Sequence, residues 1–249
     1  METKLNYKRT FLIGLAFLSI CSFWQMYDNI IPLILQNTYH LGETMTGAVM
    51  ALDNVLAIFL LPVFGTLSDK VHTKLGRRMP FIVSGTILAV IFMMLLPMID
   101  NAEKARWGTV ESFSNQVIFL AVLFFTLVSM GLYRSPAVAL MPDVTPNHLR
   151  SRANAVINLM GAVGGVYALI MIKVLVGKGE TPDYLPLFAS IAAVMAIAVG
   201  ILVITIRENK LREEVEKAEA ANAGTIEEKA MAEGVEAAGE IEAVGDTGE

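Results

Sequence analysis

Residues 65–78 read Gly-Thr-Leu-Ser-Asp-Lys-Val-His-Thr-Lys-Leu-Gly-Arg-Arg. This segment, which we call the basic loop, lies between an apolar run that ends at Phe64 and another that begins at Met79. A cluster of Lys and Arg between two apolar spans is typical of the cytoplasmic side of a membrane. The segment therefore predicts a membrane protein and orients its helices.

Composition supports this interpretation. Hydrophobic residues make up 55% of the chain and charged residues only 17%, against about 25% charged residues in an ordinary soluble domain. The apolar residues gather in runs that approach or exceed the roughly 20 residues needed to span a bilayer. Six such runs are found: Phe11–Leu35, Thr44–Gly65, Met79–Met98, Val117–Leu140, Ala153–Val176 and Tyr184–Ile206.

Backbone groups inside a bilayer must bond within their own segment, and the alternation of a membrane β-barrel is absent, so the runs predict helices. The expected fold is an all-α membrane protein with six transmembrane helices over residues 11–206. Residues 1–10 form an N-terminal segment and residues 207–249 a tail. The first run is too long for a signal peptide and lacks a cleavage site, so we expect an uncleaved span.

The distribution of Lys and Arg predicts orientation. Segments on the side of the basic loop hold twelve of these residues, and the opposite loops hold three: Lys104, Arg106 and Lys178. This bias predicts that both termini are cytoplasmic and that the protein is a multi-pass protein of the plasma membrane.

The tail carries most of the acidity. From Arg207 onward it has 13 acidic and 5 basic residues. Glu208 with Arg212, and Glu213 with Lys217, have the spacing of helical ion pairs. Beyond Gly224 the composition favours disorder or a loose helix.

Several functional classes are disfavoured. The single cysteine, Cys21, excludes a disulfide framework and a cysteine-based metal cluster, and we expect neither metal nor cofactor. No phosphate-binding glycine loop, protease motif or potassium-channel filter occurs. A channel or an intramembrane enzyme is therefore disfavoured, and no nucleic-acid partner is expected.

Two blocks of sequence carry a family resemblance. The basic loop resembles the signature between the second and third helices of major facilitator superfamily transporters, through Gly65, Leu67, Ser68, Asp69, Lys70, Gly76, Arg77 and Arg78. A second block resembles the fourth helix, short loop and fifth helix of the sucrose:proton symporters and their bacterial relatives, near the glycoside–pentoside–hexuronide:cation symporters. Its residues are Arg134-Ser135-Pro136, Ala139-Leu140, Asp143, Arg150, Arg152 and Ala153-Asn154-Ala155.

The resemblance implies the N-terminal six-helix half of a twelve-helix fold, built as an inverted repeat of three plus three helices. The implied function is secondary active transport of a sugar, a disaccharide or glycoside, by proton-coupled symport with alternating access. The implied partners are the lipid bilayer, the sugar, the proton, and either a second six-helix half or a second copy of the chain. A half that is inactive alone, and a subunit of a transporter for another substrate, remain open alternatives.

The charged residues of the two blocks predict a gate. Asp69 and Asp143 are expected to lie within reach of Arg77 and Arg78 and to form a latch that is made in one conformation and broken in another. Plain helix capping and orientation by charge is the alternative. The predicted cytoplasmic gate comprises Gly65, Asp69, Lys70, Gly76, Arg77, Arg78, Asp143, Arg150 and Arg152.

Ionisable residues within membrane spans are costly and point to function. Four occur: Asp28, Asp53, Arg134 and Lys173. Asp28 and Asp53 are expected at similar depth, Arg134 at least about 12 Å further along the axis from Asp28, and Lys173 near the interface, where it can snorkel. The candidates for proton coupling and substrate contact are Asp28, Asp53, Gln25, Asn29, Arg134, Asn154 and Asn158.

Polar and small residues recur at helical spacing on two of the spans. Ser22, Gln25, Asp28 or Asn29, and Pro32 form a stripe on the first helix. Gly161 and Gly165 allow close packing on the fifth helix. We expect that seam to serve packing, which includes packing against a partner.

Overall fold

The computed structural model describes residues 5–106, 113–177, 179, 182–217 and 219–220. Within those residues six helices are long and apolar enough to cross a membrane, which confirms the predicted number and order. They are α1 (Tyr7–Asn37), α2 (Glu43–Lys70), α3 (Met79–Lys104), α4 (Phe113–Asp143), α5 (Arg150–Leu175) and α6 (Leu185–Thr205). The chain is a multi-pass membrane protein.

Several helices continue past the apolar runs, because polar residues complete their end turns. Asn6 accepts a hydrogen bond from the backbone N–H of Arg9 (3.2 Å) and caps α1, as short polar side chains commonly do at helix starts. α3 runs on to Lys104 and buries Asp100 completely. The sequence pattern placed the end of this span near Met98 and did not identify Asp100 as buried.

Helix packing follows the repeat of three plus three helices. If each helix is exchanged for the one three places away in the chain, the contact of α1 with α5 becomes that of α4 with α2. In the same way, the contact of α3 with α4 becomes that of α6 with α1, and all four contacts are present. The remaining contact between α3 and α6 maps onto itself. This exchange of α1–α3 with α4–α6 agrees with the expected repeat of three plus three helices.

Glycines bring α1 and α5 together. A Cβ on Gly164 would collide with the backbone oxygen of Leu18, and one on Gly161 would lie 2.9 Å from Cys21 Sγ. Ser22 Oγ also donates to the backbone oxygen of Gly164 (2.9 Å). The seam therefore packs inside this chain and offers no argument for a partner, and Ser22 belongs to packing.

The loops meet at two ends of the bundle. At one end, which we call the basic end, lie the basic loop, residues 143–150 and a helical segment over 208–217, which we call the tail helix. At the opposite end, Asp100 of α3 connects α3 to the end of α1. Its carboxylate accepts hydrogen bonds from Thr38 Oγ1 (2.7 Å) and from Lys104 Nζ (2.6 Å).

The tail helix confirms one predicted ion pair, between Glu213 and Lys217 (2.7 Å). The other prediction was wrong, because Arg212 pairs with Glu216 (2.9 Å) and Glu208 turns into the bundle instead. The predicted disorder beyond Gly224 lies outside the described residues.

Candidate functional site

The paired arginines of the basic loop share two carboxylates. Arg78 contacts Asp69 (2.6 Å) and Asp143 (3.0 Å), and Arg77 contacts Asp143 (2.9 Å) and, more loosely, Asp69 (3.7 Å). Asp143 is the last residue of α4, so the four side chains join the ends of α2, α3 and α4. We call these four residues the gate network.

Burial differs across the gate network. The Arg78 side chain is 6% exposed, whereas that of Asp69 is 46% exposed. Arg78 Nη1 also donates to Ser68 Oγ (2.5 Å) and to the backbone oxygen of Gly65 (3.2 Å). A buried guanidinium needs most of its donors paired, and Gly65 and Ser68 supply the acceptors that the carboxylates do not.

The electrostatics keep Arg77 charged. Its burial alone would lower its pKa, but the hydrogen bond to Asp143 and the charges of Asp143, Asp69 and Glu208 outweigh that effect and raise the pKa above its ordinary value. The Arg77 guanidinium therefore stays charged beside these carboxylates.

Five predicted gate residues lie outside the network: Gly65, whose backbone oxygen accepts from Arg78, and Lys70, Gly76, Arg150 and Arg152. Arg150 donates to the backbone oxygens of Pro142 (2.9 Å) and Thr145 (3.2 Å), which places it at the carboxyl end of α4. Lys70 and Arg152 are exposed and form no ion pair within the described part of the chain. Gly76 is buried with φ +126°, a conformation that favours glycine.

A second group of candidates lies along α1, on the side left open by the other helices. Gln25 is half-buried, and Asp28 and Asn29 are exposed. Trp24 precedes Asp28 by one turn and lies with its ring 5.5 Å from the Arg134 guanidinium carbon of α4. This cation–π contact joins α1 to α4 at the level of the polar stripe.

A small cavity opens beside this contact. Trp24 of α1, Asp53 of α2 and Arg134 of α4 line it together with apolar side chains of α2 and α4. Asp28 and Asp53 lie close enough for their charges to interact. Neither carboxylate forms an ion pair with Arg134 or with another cation among the described residues, although Asp53 accepts from Asn54 Nδ2 (3.0 Å).

The candidates on α5 lie beside this open side. Asn154, Asn158 and Gly165 share a face, because they are spaced four and seven residues apart. Both asparagines are exposed. Gly165 lies against Gln25, whose Oε1 would be 3.7 Å from a Cβ at that glycine. Gly165 therefore meets the polar stripe of α1, and Asn158 and Asn154 lie about 10 and 16 Å from that glycine along the same face of α5.

Sequence reasoning missed Trp24, although its place one turn before Asp28 in the polar stripe was a usable signal. Its Nε1 and the Tyr27 hydroxyl are buried and lack a hydrogen-bond partner in the part of the chain that the structure describes. Unpaired buried donors call for an explanation, and two of them adjoin the candidate carboxylates.

Comparison with known proteins agrees with this architecture. The family model for the Major Facilitator Superfamily matches residues 12–237, which span the six helices and the tail helix. The chain belongs to the Major Facilitator Superfamily. It is thus a member of a transporter family and not an enzyme.

Characterised relatives of this major facilitator protein include sucrose transporters. A sucrose transport protein of Oryza sativa subsp. japonica is 26% identical over 137 residues, which cover 52% of this chain and 27% of the relative. One of Arabidopsis thaliana is 34% identical over 116 residues, covering 44% and 22%. An uncharacterized symporter of Synechocystis sp. is 24% identical over 144 residues, covering 56% and 25%. The matches thus span about a quarter of these relatives.

Proposed function

We propose that this chain takes part in secondary active transport of a sugar and contributes one six-helix half of the transport path. The observation that carries the proposal is the polar open side of α1, α2, α4 and α5. Exposed or half-buried charged and amide side chains on spans face water or protein, not lipid. In this superfamily two six-helix halves enclose the substrate site at mid-membrane.

The cavity beside Trp24 has the chemistry of a sugar site. Sites for small molecules combine aromatic surface with a few convergent polar groups. Trp24 supplies the aromatic ring, Arg134 supplies donors for hydroxyl oxygens, and Asp53 supplies an acceptor. The sucrose transport proteins among the relatives support a sugar as the substrate class.

Binding can be measured without transport. Trp24 and Trp107 are the two tryptophans of the chain, so Trp107→Phe leaves Trp24 as the reporter. We expect sucrose to change its fluorescence saturably, and Arg134→Gln to weaken binding about tenfold through loss of charge-assisted hydrogen bonds. Lys173→Gln, which changes an exposed cation outside the site, is the matched control. An absence of saturable change, or equal affinity in both variants, contradicts a sugar site here.

We propose coupling to protons through Asp28 or Asp53. Both lie within membrane spans, where ionisable side chains are costly and form proton relays, and neither pairs with a cation among the described residues. Uptake of labelled sucrose into proteoliposomes should rise with an inward proton gradient. Asp28→Asn or Asp53→Asn should remove that rise while leaving exchange between labelled and unlabelled sucrose. Gradient-driven uptake that persists in both variants contradicts the proposal.

We further propose that the basic end faces the cytoplasm of a plasma membrane and that a second six-helix unit covers the open side. The bias of twelve basic residues against three supports the orientation. The second unit is either another half or a second copy, since the two halves share one orientation about an axis normal to the membrane. Labelling of a cysteine at His148 in intact cells by an impermeant reagent contradicts the orientation.

A further inference from the structure

The tail helix lies across the basic end and contacts α1 and the basic loop, and Glu219 just beyond it contacts the loop that follows α4. Glu214 pairs with Arg9 of α1 (3.2 Å). Asn209 Nδ2 donates to the backbone oxygens of Thr73 and Lys74 in the basic loop (3.0 and 3.3 Å). The helix also buries Leu211 and Val215 against the bundle. In the loop that follows α4, the backbone N–H of Asn147 donates to Glu219 (3.1 Å).

Glu208 is the most buried polar residue of the tail helix. It is 1% exposed, and its carboxylate accepts from the backbone N–H groups of Arg77, Arg78 and Met79, each at 3.0 Å. These groups form the start of α3, and the residue at its N-cap, Arg78, provides no side-chain cap. Helix starts carry unpaired donors and partial positive charge, which a carboxylate satisfies.

The basic loop is shaped to admit this carboxylate. Gly76 has φ +126°, and a Cβ there would lie 2.5 Å from Glu208 Cδ. The backbone oxygen of Gly76 accepts from the hydroxyl of Thr73 (2.6 Å), which closes a tight turn just before the arginines. Glu208 thus fixes the backbone of the two residues whose side chains make the gate network.

We propose that Glu208 is a positioning residue of the gate network and that the tail helix is a strap which holds the basic loop in its paired geometry. Release of the strap frees the backbone of Arg77 and Arg78, so their contacts with Asp69 and Asp143 loosen. The assignment of a role in gating rests on the proposed transport function. The docking of the strap and its effect on the loop do not depend on transport, and they can be tested without a sugar.

Docking is measured by cysteine protection. In a Cys21→Ser background, Val215→Cys places a thiol under the strap, where residue 215 is 7% exposed. Glu208→Gln keeps the size of the side chain but turns an amide N–H toward backbone donors. In the Glu208→Gln variant we expect maleimide to label the cysteine at position 215 at least about fivefold faster than in the parent. The strap is released there because the buried backbone donors lose their acceptor. Glu213→Gln is the matched control, since Glu213 pairs with Lys217 on the exposed side of the strap, and we expect no change.

The conservative variant separates charge from packing. Glu208→Asp retains the carboxylate on a shorter side chain, and we expect it to restore at least half of the lost protection. Spin labels at Lys74 and His148 report the loops themselves. Their distance distribution should be narrow in the parent and in Glu213→Gln, and broad in Glu208→Gln.

The proposal is overturned if Glu208→Gln and Glu213→Gln are alike in labelling and in distance, or if Asp protects no better than Gln. If Glu208→Gln is not monodisperse, Asn209→Ala provides the second test. It removes two bonds to the basic loop, so we expect labelling about twofold faster, and an unchanged rate also overturns the proposal. If the labelling and distance results are as expected but sucrose does not bind, the proposed function is refuted and the strap is not.

Discussion

At the scale of residues, Asp143 is the more buried of the two carboxylates that the arginines of the gate network share. Its side chain is 16% exposed and contacts both arginines, whereas Asp69 is 46% exposed. Removing one member of a buried charge group leaves the others unpaired, which costs more than losing an exposed pair.

We therefore expect Asp143→Asn to destabilise the protein by about 1–3 kcal/mol and Asp69→Asn by less than about 1 kcal/mol. The difference should appear as a larger fall in the thermal midpoint in detergent for Asp143→Asn. Equal losses in the two variants would show that the contacts of Asp143 carry no special weight.

Gly164 tests the packing of α1 against α5. Alanine there would press a methyl group onto the backbone of Leu18, so the helices must separate, at a cost of about 1–3 kcal/mol. Gly200→Ala on α6 is the matched control, because nothing lies within 4 Å of its added Cβ. We expect a lower thermal midpoint for Gly164→Ala alone. A parent-like midpoint would mean that α1 and α5 pack less closely than described.

Residue pairings were predictable where the sequence kept opposite charges at neighbouring helix ends. Asp69 and Asp143 were expected near Arg77 and Arg78 for that reason, and the structure brings them together. The role of Glu208 was not predictable, because its helical spacing to Arg212 offered a local partner. The long-range cap on α3 prevails, since it satisfies three buried donors at once.

At the scale of elements, the end opposite the gate network is held by α3. Asp100 is fully buried and binds Thr38 at the end of α1, while Lys104 also donates to the backbone oxygen of Pro182 (2.6 Å) before α6. Helix existence and order followed from apolar runs, but helix ends did not. A polar residue such as Asp100 marks the end of an apolar run even when tertiary contacts extend the helix beyond it.

We expect Asp100→Ala to lower the thermal midpoint more than Asp183→Ala does. The first change leaves the Thr38 hydroxyl without its buried acceptor, a loss of about 1–3 kcal/mol, and it also removes the ion-pair partner of Lys104, which keeps the backbone oxygen of Pro182. The second removes the exposed contacts of Asp183 with Asn101 and with the backbone N–H of Leu185. Protease sensitivity of the loop between α1 and α2 should rise with Asp100→Ala alone. An equal effect of both changes would contradict a joint centred on Asp100.

At the scale of the whole molecule, the bundle has one polar side and otherwise apolar exposed surface. The apolar part includes Leu159 and Val166 of α5, which are 59% and 56% exposed and suit contact with lipid. Asn154 and Asn158 of the same helix are polar and exposed, and they share a face with Gly165, which lies against Gln25 of α1. The sequence predicted which side chains were polar, but not that α4 would bring Arg134 onto the Trp24 ring, because that contact depends on how the helices pack.

The proposed function requires the polar side of the bundle to line a water-filled path. Single cysteines at Asn158 and at Val166, in a Cys21→Ser background, compare a polar and an apolar exposed position of α5, about 80° apart around the helix. We predict that a water-soluble maleimide labels Asn158→Cys in proteoliposomes at least about tenfold faster than Val166→Cys, since thiols in lipid stay protonated and unreactive. Equal rates at the two positions, or faster labelling at Val166→Cys, would contradict the account.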